Sequence, residues 1–500
     1  MRFVTASEMR ELDRRAAAEF NLPTPVLMQS AGLAVAEAVR RVADIKGVRD
    51  LPVLLFAGRG NNGGDVFAAT RYLAEWGFRC QIFSSSQTAE AVGGLPPTVS
   101  VYPIGPDCVR PLSVPRGTLV VDGLLGTGLH GDPRGPEADA IRCIQALRGM
   151  RGAFVIAVDV PSGMNADTGA FGLPSVSADL TVTLALPKLG MASESDEIAP
   201  HCGRIEVANI GFPSALSGPD EENGLALIAG ASVETLPRRP RAAHKGYFGH
   251  VVLVGGSARY TGAIALAAEA AARGGAGLVS VATVREAALP LRARLPEAMV
   301  RVVDAPSLSR DGLGTDFPAF LRKCGTLVVG PGLGLADDAL GALECVLESG
   351  VARAVVDADA LTLLAAHPDL LDALPPDTVL TPHPGEAARL LGIGPDDVQR
   401  DRPAALRALV EKTGRTVVLK GAGTLVGAPG RGRHILRGGN PGMATGGSGD
   451  VLAGIVGALL AQWLPSFDAA RAAVWLHAKR GDEAAWRKGE AALLARDIIP

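Results

Sequence analysis

A glycine-rich segment that ends in an aspartate is the part of this chain most suggestive of chemistry. Residues 439–450 read Gly-Asn-Pro-Gly-Met-Ala-Thr-Gly-Gly-Ser-Gly-Asp and run directly into an apolar segment. At the start of a helix several backbone N–H groups lack partners, and the helix dipole favours negative charge there. The segment therefore predicts an anion site, most naturally for phosphate. Asp450 fits such a site if it takes a proton from a hydroxyl that attacks the phosphorus.

The alternative for this segment is a plain glycine turn in which Ser448 or Asp450 caps the helix. A second basic element favours the phosphate site. Lys420 ends an apolar run and precedes Gly421, Ala422, Gly423 and Thr424. Its ammonium could reach a phosphate beside the glycine-rich segment, or it could be an ordinary surface lysine whose stem lies on apolar surface.

Two other strand ends in the second half carry chemical groups. His383 lies between two prolines, which fix the backbone around it, so its ring direction is set before a ligand arrives. Asp357 and Asp359 could hold Mg²⁺ through water, or they could cap the following helix, which is the expected role of Asp359.

The first half of the chain carries its own glycine-rich turns. Residues 58–65 read Gly-Arg-Gly-Asn-Asn-Gly-Gly-Asp, and a second turn at residues 122–132 follows a later apolar run. A pair of such turns is expected where a pyrophosphate spans two βα loops. Asp159 follows another run and could act as both acid and base. Hard oxygens from Asn62, Asp122 and Ser162 would make a cage for a monovalent cation, unless these side chains only stabilise turns.

The elements that position these residues follow one pattern along the whole chain. Short β-branched apolar runs, Gly or Asp turns and alanine-rich helical stretches alternate, which indicates parallel sheets with crossover helices. Ligands bind such sheets outside the carboxyl ends of the strands. The runs are 52–57, 78–83, 118–122, 154–159, 180–186, 204–209, 250–254, 278–281, 326–329, 354–357, 378–381 and 416–420.

Length and composition bound the class of protein. The 500 residues predict two α/β domains, at residues 1–217 and 224–500, separated by a stretch without periodicity. Lys and Arg (49) balance Asp and Glu (52), which argues against nucleic acid as a partner. Six scattered cysteines argue for a reducing compartment, and no apolar run is long enough for a membrane span. We expect a cytoplasmic protein that acts on small molecules.

The second half resembles the ribokinase-like superfamily, and within it the nucleotide-dependent NAD(P)H-hydrate dehydratases. The resemblance rests on residues 244–246, 254–257, 260–263, 330–334, 381–386 and 439–450. It implies a doubly wound sheet and a reaction in which ADP (or ATP) activates the 6-hydroxyl of hydrated NAD(P)H. It places the hydrate against Ala263, Gly334, His383 and Asp450. It places ADP against Lys420, Gly421, Ala422, Gly423, Thr424, Gly446, Gly447 and Gly449.

The first half resembles the NAD(P)H-hydrate epimerases, which interconvert the R and S forms at C6. This implies a Rossmann-like three-layer sandwich and K⁺ bound by Asn62, Asp122 and Ser162. The implied substrate contacts are Asn61, Asn62, Gly63, Gly64, Asp65, Gly126, Thr127, Gly128, Leu129, His130, Gly131, Asp132 and Asp159. Members of the family commonly assemble, so a homo-oligomer is expected. Fusion of the two domains is expected of bacteria and archaea, which favours ADP over ATP as the donor.

Two other functions remain possible from the sequence. A ribokinase-like kinase of a small molecule such as a hydroxymethylpyrimidine would share Asp450 and the glycine-rich segment, but would leave His383 and the first domain unexplained. Alternatively, the first domain could be a non-catalytic dinucleotide sensor that regulates the second. A hydride-transferring dehydrogenase is disfavoured because neither half shows Gly-x-Gly-x-x-Gly with an acidic ribose anchor.

Overall fold

The computed structural model describes residues 2–85, 94–105, 108, 113–129, 131–192, 199–217, 225–228, 236 and 239–500. The chain folds into two compact units. The described residues up to 228 belong to the first unit, and those from 236 onward belong to the second. Residues 225–228, which follow the predicted domain boundary, are thus grouped with the first unit.

The first unit is built on a sheet of seven parallel strands in the order β3-β2-β1-β4-β5-β6-β7. The order reverses between β1 and β4, which creates the crevice where α/β sheets bind ligands. The strands are β1 (Val53–Ala57), β2 (Cys80–Ser84), β3 (Ser100–Pro103), β4 (Leu119–Gly123), β5 (Phe154–Val158), β6 (Leu180–Leu184) and β7 (Arg204–Ala208), followed by the short β8 (Leu225–Leu227). The helices are Ala6–Phe20, Thr24–Lys46, Asn61–Glu75, Gly135–Arg151, Ala199–Cys202 and Ser214–Ser217, with a 3₁₀ turn at Leu189–Ala192.

The central strands explain why this sheet lies between layers of helices. Every residue of β1, β4 and β5 is buried. Strands buried on both faces must be covered on both faces, which is the pattern of continuous apolar runs in a parallel sheet. One core cluster joins Leu54 and Phe56 of β1 to Ile141 and Ile144 of the helix Gly135–Arg151. The predicted three-layer sandwich is thus confirmed.

The second unit contributes strands to a larger sheet in the order β11-β10-β9-β12-β13-β14-β15-β16-β17. Pairing is parallel as far as β15 and antiparallel for β16 and β17. The strands are β9 (His250–Val254), β10 (Leu278–Val284), β11 (Met299–Val303), β12 (Gly325–Val329), β13 (Arg353–Val356), β14 (Asp377–Leu380), β15 (Thr416–Leu419), β16 (Leu425–Gly427) and β17 (Arg433–Ile435). The helices are Thr261–Arg273, Arg285–Arg294, Arg310–Leu313, Phe317–Cys324, Asp337–Leu347, Asp359–Ala366, Pro384–Leu391, Pro395–Arg400, Arg402–Thr413, Ser448–Ala461, Ser466–Lys488 and Ala495–Ile498. Single 3₁₀ turns lie at Lys245–Phe248, Pro368–Leu371, Pro441–Met443 and Glu490–Ala492.

The helix Ser448–Ala461 lies at the centre of this unit. Its residues from Val451 to Ala461 are all buried, as expected of a helix that is apolar on every side. It packs against the helices Thr261–Arg273 and Ser466–Lys488 and against β12 and β13. This packing fixes the position of the glycine-rich segment at its N-terminus. Among the described residues, no helix is long and apolar enough to cross a membrane.

Candidate active sites

The glycine-rich segment opens the buried helix without a side-chain cap. Gly447, with φ of 94°, precedes the helix, and no side chain accepts a hydrogen bond from the first turn. The capping alternative for Ser448 and Asp450 is therefore wrong. The Ser448 hydroxyl instead lies 3.3 Å from Nε2 of the buried His477, which is also 3.0 Å from the Ser448 carbonyl. These contacts hold the first turn of the helix through the side chain and carbonyl of Ser448. They leave the backbone amides at the helix N-terminus available to an anion.

Lys420 extends from the end of β15 to this helix start. Its Nζ donates to Oδ1 of Asp357 at 2.7 Å and lies 3.8 Å from Oε2 of Glu386. A methyl group placed on Gly449 would come within 3.3 Å of Nζ, so the ammonium is adjacent to the helix N-terminus. The side chains of Asp357 and Glu386 are almost completely buried. The ends of β13, β14 and β15 therefore meet around the ammonium group of Lys420.

The electrostatics of this cluster favour proton transfer near neutrality. Burial, reinforced by the charge of Asp357 and opposed by Lys420, raises the pKa of Asp450 to about 7. Burial likewise raises the pKa of Glu386 to about 7. Burial alone would lower the pKa of Lys420, but Asp357 and Glu386 raise it above its ordinary value. A carboxyl with a pKa near the working pH suits general-base catalysis.

His383 is the N-cap of the helix Pro384–Leu391. Its Nδ1 accepts from the amide of Gly385 at 3.0 Å, and its Nε2 lies 3.4 Å from Oε1 of Glu386. Partial burial and the nearby Lys420 lower the pKa of His383, so the ring is neutral with its proton on Nε2. The flanking prolines, the capping bond and Glu386 all hold the ring in one direction, as the sequence predicted.

Of the predicted hydrate contacts, Ala263 lies in the first turn of the helix Thr261–Arg273, and Gly334 lies in the loop after β12. A methyl group placed on Gly332 would lie 3.3 Å from the Ala263 side chain, so this loop packs against the start of the helix. Oδ2 of Asp359 accepts from the Gly334 amide at 2.8 Å. The N-cap of the helix that begins at Asp359 is Ala358, without a side-chain bond, so the expected capping role of Asp359 is wrong. Asp359 instead holds the Gly334 loop.

The loop of Gly421, Ala422, Gly423 and Thr424 owes its shape to a residue that the sequence did not suggest. The guanidinium of the buried Arg402 donates to the carbonyls of Leu419, Lys420 and Gly423 at 3.2–3.4 Å. The Thr424 hydroxyl closes the loop onto the Gly421 carbonyl at 2.9 Å. Arg402, Glu386 and His477 are therefore positioning residues missed by sequence reasoning. Only Glu386 stood in a conspicuous motif.

In the first unit, Asp159 forms a buried ion pair with Lys188 directly after β5. Its backbone adopts φ of 65°, in the left-handed region where aspartate is tolerated, which turns the chain sharply at the strand end. Oδ1 also accepts from Thr183 at 3.2 Å and from the Leu184 amide at 3.0 Å. The sequence identified Asp159 but not Lys188, whose side chain is 1% exposed.

The N-terminal segment completes the surroundings of this pair. The Val4 amide donates to Pro187 at 2.9 Å, and the Leu189 amide donates to Val4 at 2.8 Å, so Val4 pairs with the backbone around Lys188. Asp13, in the following helix, interacts electrostatically with both Asp159 and Lys188. Burial, against the attraction of Lys188 and with the repulsion of Asp159, raises the pKa of Asp13 to about 6.

Asn62, Asp122 and Ser162 meet around the backbone of Leu125. Nδ2 of Asn62 donates to the Leu125 carbonyl at 3.2 Å, and the Leu125 amide donates to Oγ of Ser162 at 2.9 Å. Asp122 accepts from the Ser162 hydroxyl at 2.6 Å and from its amide at 2.8 Å. Complete burial raises the pKa of Asp122 to about 6 although these bonds lower it. The structure therefore brings the three side chains together.

The two glycine-rich turns of this unit pack closely against each other. A methyl group on Gly58 would lie 1.8 Å from the Leu124 carbonyl, and one on Gly63 would lie 1.9 Å from the Gly58 carbonyl. Asp132 accepts from the Leu173 amide at 2.9 Å. A cavity of about 320 Å³ lies along residues 125–137, and Leu129, Gly131 and Asp132 line it. His130 lies outside the described residues.

The strand order and the uncapped helix start beside Lys420 are those of a two-domain α/β enzyme whose second unit is ribokinase-like. A family model described as NAD(P)H-hydrate dehydratase matches residues 251–500, and one described as YjeF-related protein N-terminus matches residues 24–190. The bifunctional NAD(P)H-hydrate repair enzyme of Moorella thermoacetica is 38% identical over 100% of this chain and 95% of its own length. The chain belongs to the family of bifunctional NAD(P)H-hydrate repair enzymes.

Two further comparisons bear on the fold and on the fusion. A ribokinase-like superfamily protein from Enterococcus faecalis is 34% identical, with a TM-score of 0.50, and the match covers 55% of this chain and 92% of that one. The bifunctional NAD(P)H-hydrate repair enzyme of Leishmania braziliensis is 35% identical over 99% of this chain and 92% of its own length. The fused arrangement is therefore not confined to bacteria and archaea, and fusion alone does not select ADP over ATP.

Proposed function

We propose that the second unit dehydrates the S form of hydrated NAD(P)H with ADP as phosphoryl donor. The first unit interconverts the R and S forms at C6, so that both become substrates. The observation that carries this proposal is the placement of Lys420 and Asp450 at one uncapped helix start, in a chain of the repair-enzyme family. We assign the epimerase to residues 1–217 and the dehydratase to residues 224–500.

The dehydration is a phosphoryl transfer followed by an elimination. Asp450 accepts the proton of the 6-hydroxyl while the oxygen of that hydroxyl attacks the terminal phosphorus of ADP. The attack releases AMP. The backbone amides of Gly446, Gly447 and Gly449, with Lys420, hold the negative charge on the phosphate oxygens. The C6–O bond then breaks, phosphate leaves with the electron pair, and loss of a proton from C5 restores the dihydronicotinamide ring.

The carboxylates around Lys420 fit a magnesium ion that accompanies ADP. Mg²⁺ usually takes one or two carboxylates, several waters and substrate phosphate oxygens. Asp357 and Glu386, both buried at the strand ends, would hold it through water beside the phosphates. When bound, the ion would neutralise charge on the transferred phosphoryl group.

In the first unit we assign proton exchange with the 6-hydroxyl to Asp159, held by Lys188 and Thr183. Water leaves from one face of the ring and adds to the other. Asn62, Asp122 and Ser162 would hold K⁺. They fit it because they offer hard oxygens and because the fully buried Asp122 accepts from N–H and hydroxyl groups, so a cation would offset its charge. K⁺ would neutralise that charge and order the loops.

The partners are the hydrates of NADH and NADPH, and the chain acts as a homo-oligomer by analogy with its family. No disulfide joins the six cysteines, all of which lie in the described part of the chain, and this supports a reducing, cytoplasmic setting. The kinase alternative is less favoured because a kinase gives no role to His383 or to the first unit.

The test is a spectrophotometric assay on mixed R and S hydrates of NADH, with Mg²⁺ and K⁺, comparing ADP, ATP and no nucleotide. We expect complete recovery of NADH absorbance with ADP. Recovery that stops at the S fraction would remove the epimerase assignment, and a stable phosphorylated product would favour the kinase. Faster recovery with ATP would reverse the choice of donor. For the sensor alternative, Asp159→Ala decides, because a sensor has no epimerisation to lose.

A further inference from the structure

A second buried carboxyl group lies near Asp159, and so far it has been given only the role of a substrate contact. Asp65 lies on the first turns of the helix Asn61–Glu75 and is 5% exposed. Three residues earlier on the same helix, Asn62 donates to the carbonyl of Val158, directly before Asp159, at 2.9 Å. Residues three apart share a helix face. Asp65 therefore lies on the helix face that meets the end of β5, close enough to Asp159 for their charges to interact.

The charged groups around Asp65 are Asp159, Lys188 and Asp13. Lys188 is engaged elsewhere, because its Nζ donates to Asp159 and contacts Thr183 and the carbonyls of Leu184 and Leu186 at 3.0–3.3 Å. Burial, with the repulsion of Asp159 outweighing Lys188, raises the pKa of Asp65 to about 8. At neutral pH, Asp65 thus carries a proton beside the ion-paired carboxylate of Asp159. A protonated carboxyl near a carboxylate that is paired with a lysine is an arrangement expected of paired acid and base roles.

We infer that Asp65 is a second catalytic acid–base residue of the epimerisation, working with Asp159 on opposite faces of the substrate ring. This inference rests on the proposed function of the first unit. Inversion at C6 requires water to leave from one face and to add to the other. A catalytic group must lie within hydrogen-bond reach of the proton that it moves, so one carboxyl on one face serves only half of the reaction.

The steps balance with these two groups alone. Asp65 gives its proton to the 6-hydroxyl, the C6–O bond breaks, and water leaves while the ring nitrogen supplies the electron pair of a C6=N1 bond. A water on the other face then attacks C6, the electron pair returns to nitrogen, and Asp159 takes the proton that this water loses. Asp65 ends as the carboxylate and Asp159 as the acid, which is the starting state for the reverse direction.

The test is Asp65→Asn in the full-length chain, supplied with R hydrate, ADP and Mg²⁺. Recovery of NADH then reports epimerisation, while S hydrate reports the dehydratase of the same chain. We expect a loss of about 100-fold or more in epimerase kcat, within the range for a general acid, with the S hydrate rate unchanged. Wild-type epimerase activity should fall as the pH rises through about 8, because Asp65 loses its proton, and this fall should be absent from the residual activity of the variant.

Asp13→Asn is the matched control, since it removes a carboxyl that faces the same ion pair from the N-terminal helix. It should keep most of the epimerase activity and move the alkaline fall to lower pH, because one negative charge near Asp65 is gone. If Asp65→Asn raises KM while kcat and the alkaline fall persist, Asp65 only binds substrate and the inference is overturned. Asparagine matches the shape of a protonated carboxyl, so the variant should fold if Asp65 is protonated. A variant that fails to fold would therefore also contradict the inference. Wild-type protein that leaves R hydrate unconverted would instead overturn the proposed function itself.

Discussion

Nζ of Lys420 and Oδ1 of Asp357 lie 2.7 Å apart, and the two residues stand at the ends of strands separated by β14. The cation beside the proposed phosphate site is thus fixed by a carboxylate whose side chain is almost completely buried. A lysine held in this way is oriented before the nucleotide arrives. Such preorganisation is worth more to catalysis than a flexible surface charge.

Lys420→Met should lower both stability and dehydratase activity. Removal of one partner of a buried ion pair typically costs about 3–5 kcal/mol, and we expect the lower end because Lys420 retains some solvent contact. The double variant Lys420→Met/Asp357→Asn should recover most of the melting temperature of the second unit but none of the NADH recovery from S hydrate. Equal loss of stability in the single and double variants would contradict a coupled pair.

The pH dependence of dehydration should report Asp450. As the proton acceptor, Asp450 must be ionised, so the rate on S hydrate should rise as the pH rises through about 7. Asp450→Asn should lose about 10²–10⁴-fold in kcat. Glu386→Gln should shift the rise to lower pH, because the charge of Glu386 contributes to the raised pKa of Asp450. A rate that falls over this range would assign Asp450 the role of an acid.

K⁺ should stabilise the first unit through Asp122. A ligand at a hundred times its Kd stabilises a fold by about 2.7 kcal/mol, so the melting temperature of this unit should rise with KCl. Choline chloride at equal ionic strength is the control for screening. Asp122→Asn should abolish the difference between the two salts. The same difference in the variant as in the wild type would place the ion elsewhere.

Two glycines of one turn provide a matched pair for the epimerase site. Gly63→Ala places a methyl group 1.9 Å from the Gly58 carbonyl, whereas Gly60→Ala meets nothing within 4 Å. We expect Gly63→Ala to cost at least about 1–3 kcal/mol in the first unit and to abolish epimerisation. Gly60→Ala should keep a wild-type melting temperature, and the dehydratase rate on S hydrate should be normal in both. Thermal denaturation and the two hydrate assays together check this.

Much of the fold could be predicted because continuous apolar runs report strands buried on both faces. All twelve predicted runs became strands, and β9 has the predicted bounds. Edge strands gave no such signal. β3 is largely exposed and β11 partly so, and their sequences therefore lack the apolar run that marks the centre of a sheet. The antiparallel β16 and β17 are only three residues each, too short for a periodic pattern.

The site residues were predictable where a glycine turn or a motif marked a strand end. They were not predictable where a residue distant in the sequence contacts the site. Asp159 and Lys420 were both identified from the sequence, but the ion pairs that they form were not. Lys188 was missed, and Asp357 was expected to hold Mg²⁺ or to cap a helix. Lys188 lies 29 residues after Asp159 in the chain, and Asp357 lies 63 residues before Lys420. Arg402 contacts the loop of residues 421–424 through a backbone carbonyl oxygen and not through a side chain, so no sequence motif indicates its role. Pairings of this kind depend on how strands and loops meet in three dimensions.

The pairing of Val4 with the backbone on either side of Lys188 has a consequence for the synthesis of the protein. Val4 must wait until Leu189 has been translated before both of its main-chain hydrogen bonds can form. Contacts of such long sequence separation form late, since the loop between them must close first. The epimerase site therefore matures only when nearly the whole first unit has left the ribosome, so that a nascent chain arrested earlier would carry the glycine-rich turns without the activity.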